Sequence, residues 1–511
     1  MLWMGMLGWQ LRREYFQPEL ARLAEAALSL APGVNFYTLR MGDRVVGLAN
    51  SLLDTVPEGF LLEDLISLEL PALGQTGTAV VRTRVNLSPS LVMRDFFFSL
   101  DSEVGRYSAS GSVEGDTLLH VELEAAGSKQ SVTHRLSQPP IFSSVLPIRL
   151  AVGEGLEVGN RARFPVFDPS SLSTRTVEVH VAEHDTIVVP DSAELGIGTG
   201  RWTPAHFDSI PAWRVIEVYG GIQVESWIDA DGRILKASSP LGFSMEKTEY
   251  ELARQAQEDA RGLVGSPIDN DVILSTAIQS NVDLGEVENH EELRFVLSGV
   301  DLGGFQLEGG RQELLGDTLI VRRENWAAIR PDYDDLPYPR MDFLEYLQSE
   351  PMIQSDDEVI IEAAERLAGW ELMGNNDPMR ITRLLTMGVN GMLEKEITFS
   401  IPNAVQVLAS GRGDCNEHTV LFVALARALG LPARTAVGLV YVNDAFFYHA
   451  WPEVWLGQWV AVDPTFGQYP ADAAHLRFVI GGLAQQVEIL RLIGNLNIEV
   501  VAPVTAESEV R

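Results

Sequence analysis

Gly411-Arg412-Gly413-Asp414-Cys415-Asn416-Glu417-His418 decides how the C-terminal part of this chain is read. A glycine-rich turn runs here into a segment whose apolar residues Leu421, Phe422, Leu425, Ala428 and Leu429 recur at helical spacing on one face. Cys415 is the only cysteine in 511 residues, and the pattern sets it at the start of that helix. Free N–H groups and the positive end of the helix dipole favour a thiolate there, the nucleophilic form of the side chain. The helix is predicted to stop at Gly430-Leu431-Pro432. Three strands are predicted next: Ala433 to Tyr441, then Phe446 to Trp455 after an Asn443-Asp444 turn, then Trp459 to Asp463 after Gly457-Gln458. His449 lies on the second strand, and Asp463 closes the third just before Pro464. Thiol, imidazole and carboxylate are the nucleophile, base and orienting acid that a covalent acyl-transfer site requires.

The same residues resemble the transglutaminase-like superfamily, whose members carry a Cys-His-Asp triad on a papain-like core. The resemblance rests on four blocks. They are Gly413 to His418, Ala424 to Arg434, His449-Ala450-Trp451-Pro452-Glu453-Val454, and Trp459 with Asp463-Pro464-Thr465. It continues through Phe466, Gln468, Pro470 to Ala473 and His475, in the manner of bacterial transglutaminase-like cysteine proteases and amidases rather than of animal cross-linking enzymes. In all it spans about residues 355 to 482. It implies Cys415, His449 and Asp463 as catalytic residues. Asp414, Asn416, Glu417, His418, Trp451, Gln468, Asp472 and His475 lie in or just after the matching blocks, and either line the cleft or satisfy buried polar groups beside it. The oxyanion would be held by the Cys415 N–H and a second donor, for which Asn403 and Gln406 are the options.

Alternation along the second strand puts Phe447, His449 and Trp451 on one face, so large apolar neighbours desolvate the imidazole. Proton transfer from Cys415 would give a thiolate–imidazolium pair, with Asp463 fixing the imidazole tautomer. The expected activity is cysteine-dependent hydrolysis of a peptide or amide bond through a thioester. Resolution of the thioester by an amine, giving cross-linking or ligation, is one alternative; a non-catalytic interaction protein is the other. A protein or peptide substrate is expected, with peptidoglycan peptides one option.

Composition narrows the partners. Against 71 acidic residues stand 38 basic ones, a net charge of −33, which argues against nucleic acid or an anionic membrane surface as partner. One cysteine forbids an internal disulfide and leaves the compartment unidentified by cysteine usage. No calcium-loop spacing is present, and neither cofactor nor metal is expected.

At this length several domains are expected. Residues 1–25 hold an apolar stretch, Met1 to Leu11, that is too short for a membrane span of about 20 residues. It reads either as the remnant of a signal anchor, which would tether the protein to a membrane, or as an amphipathic helix. The cell envelope or periplasm is the favoured location, with the cytoplasm left open. Residues 31–265 alternate in short runs punctuated by turns such as Glu114-Gly115-Asp116 and Asp231-Gly232, the pattern of an antiparallel β domain. That domain is a candidate surface for a protein partner. Residues 266–329 read as a β-rich extension or a small second β domain. Residues 330–339 read as an exposed linker, with three prolines and three aspartates between Arg330 and Pro339. Residues 340–500 form the catalytic domain, opening with a helix that Ser355 and Glu358 cap and whose buried face is Val359, Ile360, Ala363, Leu367 and Trp370. The fold class is therefore an all-β N-terminal region followed by an α+β papain-like transglutaminase core.

Overall fold

The computed structural model describes residues 19–501 apart from 73–74, 116, 126–127, 137, 220–221, 241, 263–275, 370–375 and 399. Met1 to Leu11 and Trp370 lie outside the described residues. Among those described, no helix is long and apolar enough to cross a membrane.

Strands between Gly33 and Thr248 build one fifteen-stranded sheet. It is antiparallel except where Ile141–Phe142 runs parallel to residues 166–167. Gly33–Met41 pairs with Arg44–Val56 on one side and with Phe243–Thr248 on the other. The chain thus leaves the middle of the sheet, meanders to the edge strand Ser128–Arg135, and returns along a second arm. Period-two burial drives this, as in Leu118–Ala125, where Leu119, Val121, Leu123 and Ala125 point inward in turn. Both arms feed one core: Val85, Phe96 and Leu119 cluster with Phe164, Val177 and Val215. The Phe96 and Phe167 rings stand 5.3 Å apart, and Tyr107 Oη donates to the Pro169 carbonyl at 3.2 Å, so the sheet folds across itself.

Two strands are longer than the pattern suggests. Ser173–Leu195 and Trp202–Tyr219 run on as a ribbon whose outer half is mostly exposed. Register shifts at Val181/Glu183 and Pro190/Ser192 carry the ribbon past Pro190. Ile187 and Val189 pack with Ile210 and Ala212 on Leu235 and Trp227, and beyond them neither face is buried, so no alternation marks the tip.

Residues 278–329 correct the reading of a β extension or second β domain. Ile278–Gln279 pairs with the His449 strand. Glu292–Ser298, Gln312–Leu315 and Thr318–Arg322 form a four-stranded sheet with Asn497–Val501 from the far end of the chain. Leu293, Phe295, Leu319 and Val321 share one hydrophobic cluster with Leu439, Phe446, Leu476 and Phe478. This stretch is therefore part of the C-terminal core. Residues 330–339 are exposed at Arg330, Asp332, Asp334, Asp335, Pro337 and Pro339 but are anchored at two positions. Leu336 and Tyr338 are buried against the helical core with Ile329, and their amides donate to the Asn376 and Gly430 carbonyls. Two large apolar side chains among the prolines and aspartates outweigh the polar composition.

The core itself is helices on a small antiparallel sheet. Glu358–Ala368 is capped by Asp357, which accepts from the Val359 N–H, rather than by Ser355 and Glu358, and it buries Ile360, Ala363, Ala364 and Ala368 while Val359 is exposed. Pro378–Met392 is capped by Asp377 and Ala404–Ser410 by Asn403. Cys415–Ala428 runs through the middle and buries every residue from Glu417 to Arg427. In the sheet, Ala433–Val442 lies between Ala445–Trp455 and His475–Ile480. Glu453 ties these strands together: buried on the His449 strand, it accepts from Arg434 at 2.6 Å and from Arg477 at 2.9 Å.

Candidate active site

The turn before Cys415 is built to aim the helix start. Asp414 is the N-cap, its Oδ1 accepting from the Asn416 N–H at 2.8 Å. Glu417 answers by accepting from the Asp414 N–H at 3.0 Å, which completes a capping box. The other oxygen of Glu417 accepts from Thr398 Oγ1 at 2.8 Å and Ser400 Oγ at 2.7 Å. Gly413 is required by contact: a Cβ there would stand 2.2 Å from that of Glu417. Asp414 and Glu417, read as cleft candidates, thus shape the turn, and the Asn416 side chain also bonds to Asp414. Arg412 Nη2 donates to the Glu103 carbonyl at 3.0 Å, docking a hairpin of the β region against this turn. Asn403 is used as a helix cap, and Gln406 Nε2 donates to the Val104 carbonyl at 3.0 Å. The cap uses the Asn403 oxygen, an acceptor, while the Gln406 amide is turned toward the β region.

His449 is opposite Gly438 in the sheet, where a Cβ would meet the Leu476 carbonyl at 1.8 Å. Its Nε2 donates to Asp463 Oδ2 at 2.6 Å. The ring stacks on Phe466 at 5.0 Å and 16° and on Trp451 at 6.1 Å and 22°. Trp451 is therefore a wall of the imidazole slot rather than a polar cleft group. Phe466 is 44% exposed and covers the ring on the outer side; the sequence reading quoted it only as part of a block. The next amide along the strand, that of Ala450, faces the Cys415 sulfur and favours its ionised form.

Asp463 is fully buried, and both its oxygens are occupied. Oδ1 accepts from the Thr465 and Phe466 amides at 2.7 and 3.1 Å. Oδ2 accepts from His449 and, at 3.0 Å, from His475 Nε2. The other ring nitrogen of His475 meets Asp472 Oδ1 at 2.9 Å. Gln468 Nε2 donates to Asp472 Oδ2 at 2.9 Å. Gln468, Asp472 and His475 thus form a buried network behind Asp463. His475 also begins a strand, His475–Ile480, that the sequence reading did not recognise.

Electrostatics follow from this packing. Burial alone would raise the Asp463 carboxyl, but the charges and hydrogen bonds of His449 and His475 hold it well below the usual carboxylate range. Asp472 is held low against its burial by His475 and Gln468. Burial would lower His475, yet the two carboxylates push it up to about 9. For Cys415 the balance departs from the expectation of a resting thiolate. Burial, then the Asp414 carboxyl, push the thiol up, and the Ala450 amide opposes them only in part. His418 is fully buried and held neutral by that burial. Its Nδ1 donates to the Asp414 carbonyl at 2.7 Å, and its Nε2 has no partner among the described residues.

His449, Asp463 and His475 bring their ligand atoms within 4.8 Å of one another, close enough for a cation. Both ring nitrogens of His475 are already taken up by carboxylates, Asp463 at 3.0 Å and Asp472 at 2.9 Å, which is the arrangement of a hydrogen-bonded relay.

Residues 376–464 match the family model of the transglutaminase-like superfamily. No curated protein matches the chain. Among solved structures, a candidate cysteine protease from Cytophaga hutchinsonii is 16% identical, with 45% of this chain and 89% of that one covered and a TM-score of 0.29. A β-barrel-like protein of a domain of unknown function from Brucella abortus is 14% identical, with 43% and 95% covered and a TM-score of 0.30. The periplasmic domain of TgpA from Pseudomonas aeruginosa, bound to ethylmercury, is 17% identical, with 35% and 74% covered and a TM-score of 0.23.

Proposed function

We propose that this chain is a cysteine-dependent acyl-transfer enzyme that hydrolyses a peptide or amide bond through a thioester on Cys415. The observation that carries the reading is the locking of His449. With Nε2–H committed to Asp463, the lone pair of the ring is on Nδ1, on a strand whose next amide faces the Cys415 sulfur. The thiol rests protonated, so its proton passes to His449 Nδ1 as sulfur attacks the carbonyl carbon. The oxyanion forms beside the first-turn N–H of Cys415, which has no intrahelical partner. The imidazolium then protonates the leaving nitrogen and the C–N bond breaks. Water, deprotonated by His449, attacks the thioester, and the acid and the thiol are released. Asp463 remains ionised throughout, since four donors face it.

The test is a peptide library together with peptidoglycan fragments, incubated with wild type and Cys415→Ser and read by mass spectrometry. Products heavier by one water and dependent on Cys415 support hydrolysis. Amine adducts formed in preference to water would assign the site to cross-linking or ligation. Wild-type turnover by Cys415→Ser would remove the thiol from the chemistry altogether.

A further inference from the structure

A second site stands in the β region, and it does not depend on the reading of Cys415. A cavity of about 420 Å³ lies against the inner face of the first five strands and is closed by the turn at 142–148 and the loops at 168–170 and 231–234. That volume falls in the range of small-molecule sites, about 300 to 1,000 Å³.

The cavity floor follows the sheet register. Asn35 pairs with Ser51, Ser51 with Asp64, Asp64 with Thr83 and Thr83 with Phe98. A polar row thus crosses four adjacent strands on a face that elsewhere is core. On either side run apolar rows, Ala49, Ile66 and Val81 on one and Leu53 and Leu62 on the other. A face meant only for packing would continue those rows, because a buried polar group without a task costs stability. Breaks in the binary pattern of this kind mark functional positions.

The row is anchored. Burial raises the Asp64 carboxyl, and the neighbouring Ser144 and Ser51 hydroxyls oppose that rise. Tyr37, 5% exposed, stands beside it and is kept neutral by the same burial. At the rim, Arg233 is the sole cation among the lining residues and is already engaged by Asp231 at 3.3 Å, by Asp229 and by the Ala31 carbonyl. Asp64, Asp168 and Asp231 give the lining an acidic balance. An anionic head group would meet no free positive charge here.

We propose that this cavity binds an elongated apolar molecule with a donor-bearing head, an uncharged or amine-terminated single-chain amphiphile, with the chain between the apolar rows and the head on Asp64. Carboxylate-headed chains of the same length are excluded by charge.

The experiment uses the full chain and the neutral probe N-phenyl-1-naphthylamine, whose fluorescence rises on entering an apolar site. Saturable one-site binding is expected, displaced by dodecylamine and dodecanol and not by dodecanoate. Filling the cavity with Ile66→Trp or Val81→Trp should weaken the probe by more than about ten-fold without lowering the thermal midpoint. Asp64→Leu should keep probe binding but abolish the preference for dodecylamine over dodecanol, and this variant carries the test should both tryptophan variants misfold. Absence of saturable binding, probe affinity unchanged in folded Trp variants, an amine preference that survives Asp64→Leu, or displacement by dodecanoate as strong as by dodecylamine would each overturn the assignment.

Discussion

Replacing His475 with glutamine tests the charge on which the site's geometry depends. Both ring nitrogens of His475 meet carboxylate oxygens, at 3.0 Å on Asp463 and 2.9 Å on Asp472. A neutral imidazole carries one N–H, so it would set a lone pair against one of the two carboxylates. The folded pKa of about 9 exceeds the ordinary 6.5 because the two carboxylates outweigh burial. The contribution to stability is therefore complete below pH 6.5 and is lost as the pH climbs through about 9. A displacement of that size corresponds to about 3 kcal/mol. Asp463 and Asp472, held low, lose their own contributions only in strong acid, well outside this window. The assay is urea unfolding of wild type and His475→Gln between pH 5.5 and 9.5. The wild-type advantage should be level up to about pH 6.5 and then shrink by about 3 kcal/mol by about pH 9. A difference between the two proteins that stays constant across the range would refute an imidazolium at His475, and with it the doubly bonded relay behind Asp463.

Asp463→Asn removes the acceptor that fixes the His449 tautomer, and turnover should fall by roughly 10² to 10³, about 3 to 4 kcal/mol of barrier. Iodoacetamide alkylation of Cys415 should slow with it; wild-type values of both would leave a Cys-His dyad. Because burial and Asp414 push the Cys415 thiol up, its alkylation should keep climbing with pH past the inflection of an exposed cysteine. A rate already at its plateau at pH 6 would mean a resting thiolate–imidazolium pair. A fragment starting at residue 340 lacks Leu293, Phe295, Leu297, Leu319 and Val321, the partners of Phe446, Leu476 and Phe478. Their burial is worth on the order of 10 kcal/mol, comparable to the whole stability of a domain. By size exclusion and circular dichroism, that fragment should aggregate where one starting at residue 276 folds; a monomeric, folded 340 fragment would show the small sheet to be dispensable.

What could be read from the sequence, and what could not, divides by the range of the interactions involved. The path from Asp414 to Asp463 is held by neighbours in sequence. An N-cap precedes its helix by one residue, and Gly430 ends that helix at φ +75°. Asn443 and Asp444 sit at φ +48° and +66°, as a tight hairpin turn requires of both central residues. Each of these signals acts within a few positions, so residue types alone reveal it. His475 shows the opposite case. Its role depends on Asp463 and Asp472 closing around it from both ring nitrogens, and its strand pairs back to Val440 across an intervening hairpin. Nothing near His475 in the sequence distinguishes a cleft histidine from a buried imidazolium. The small sheet is more distant still, since Glu292–Ser298 pairs with Asn497–Val501 across the whole core. The segment 330–339 differs for a related reason: composition averages over ten residues, most of them exposed, whereas its anchoring is decided by two, Leu336 and Tyr338. A linker must be polar at nearly every position, while two apolar side chains at the right spacing suffice to anchor a segment. Position-specific burial therefore overrides mean polarity wherever a core lies within reach of the chain.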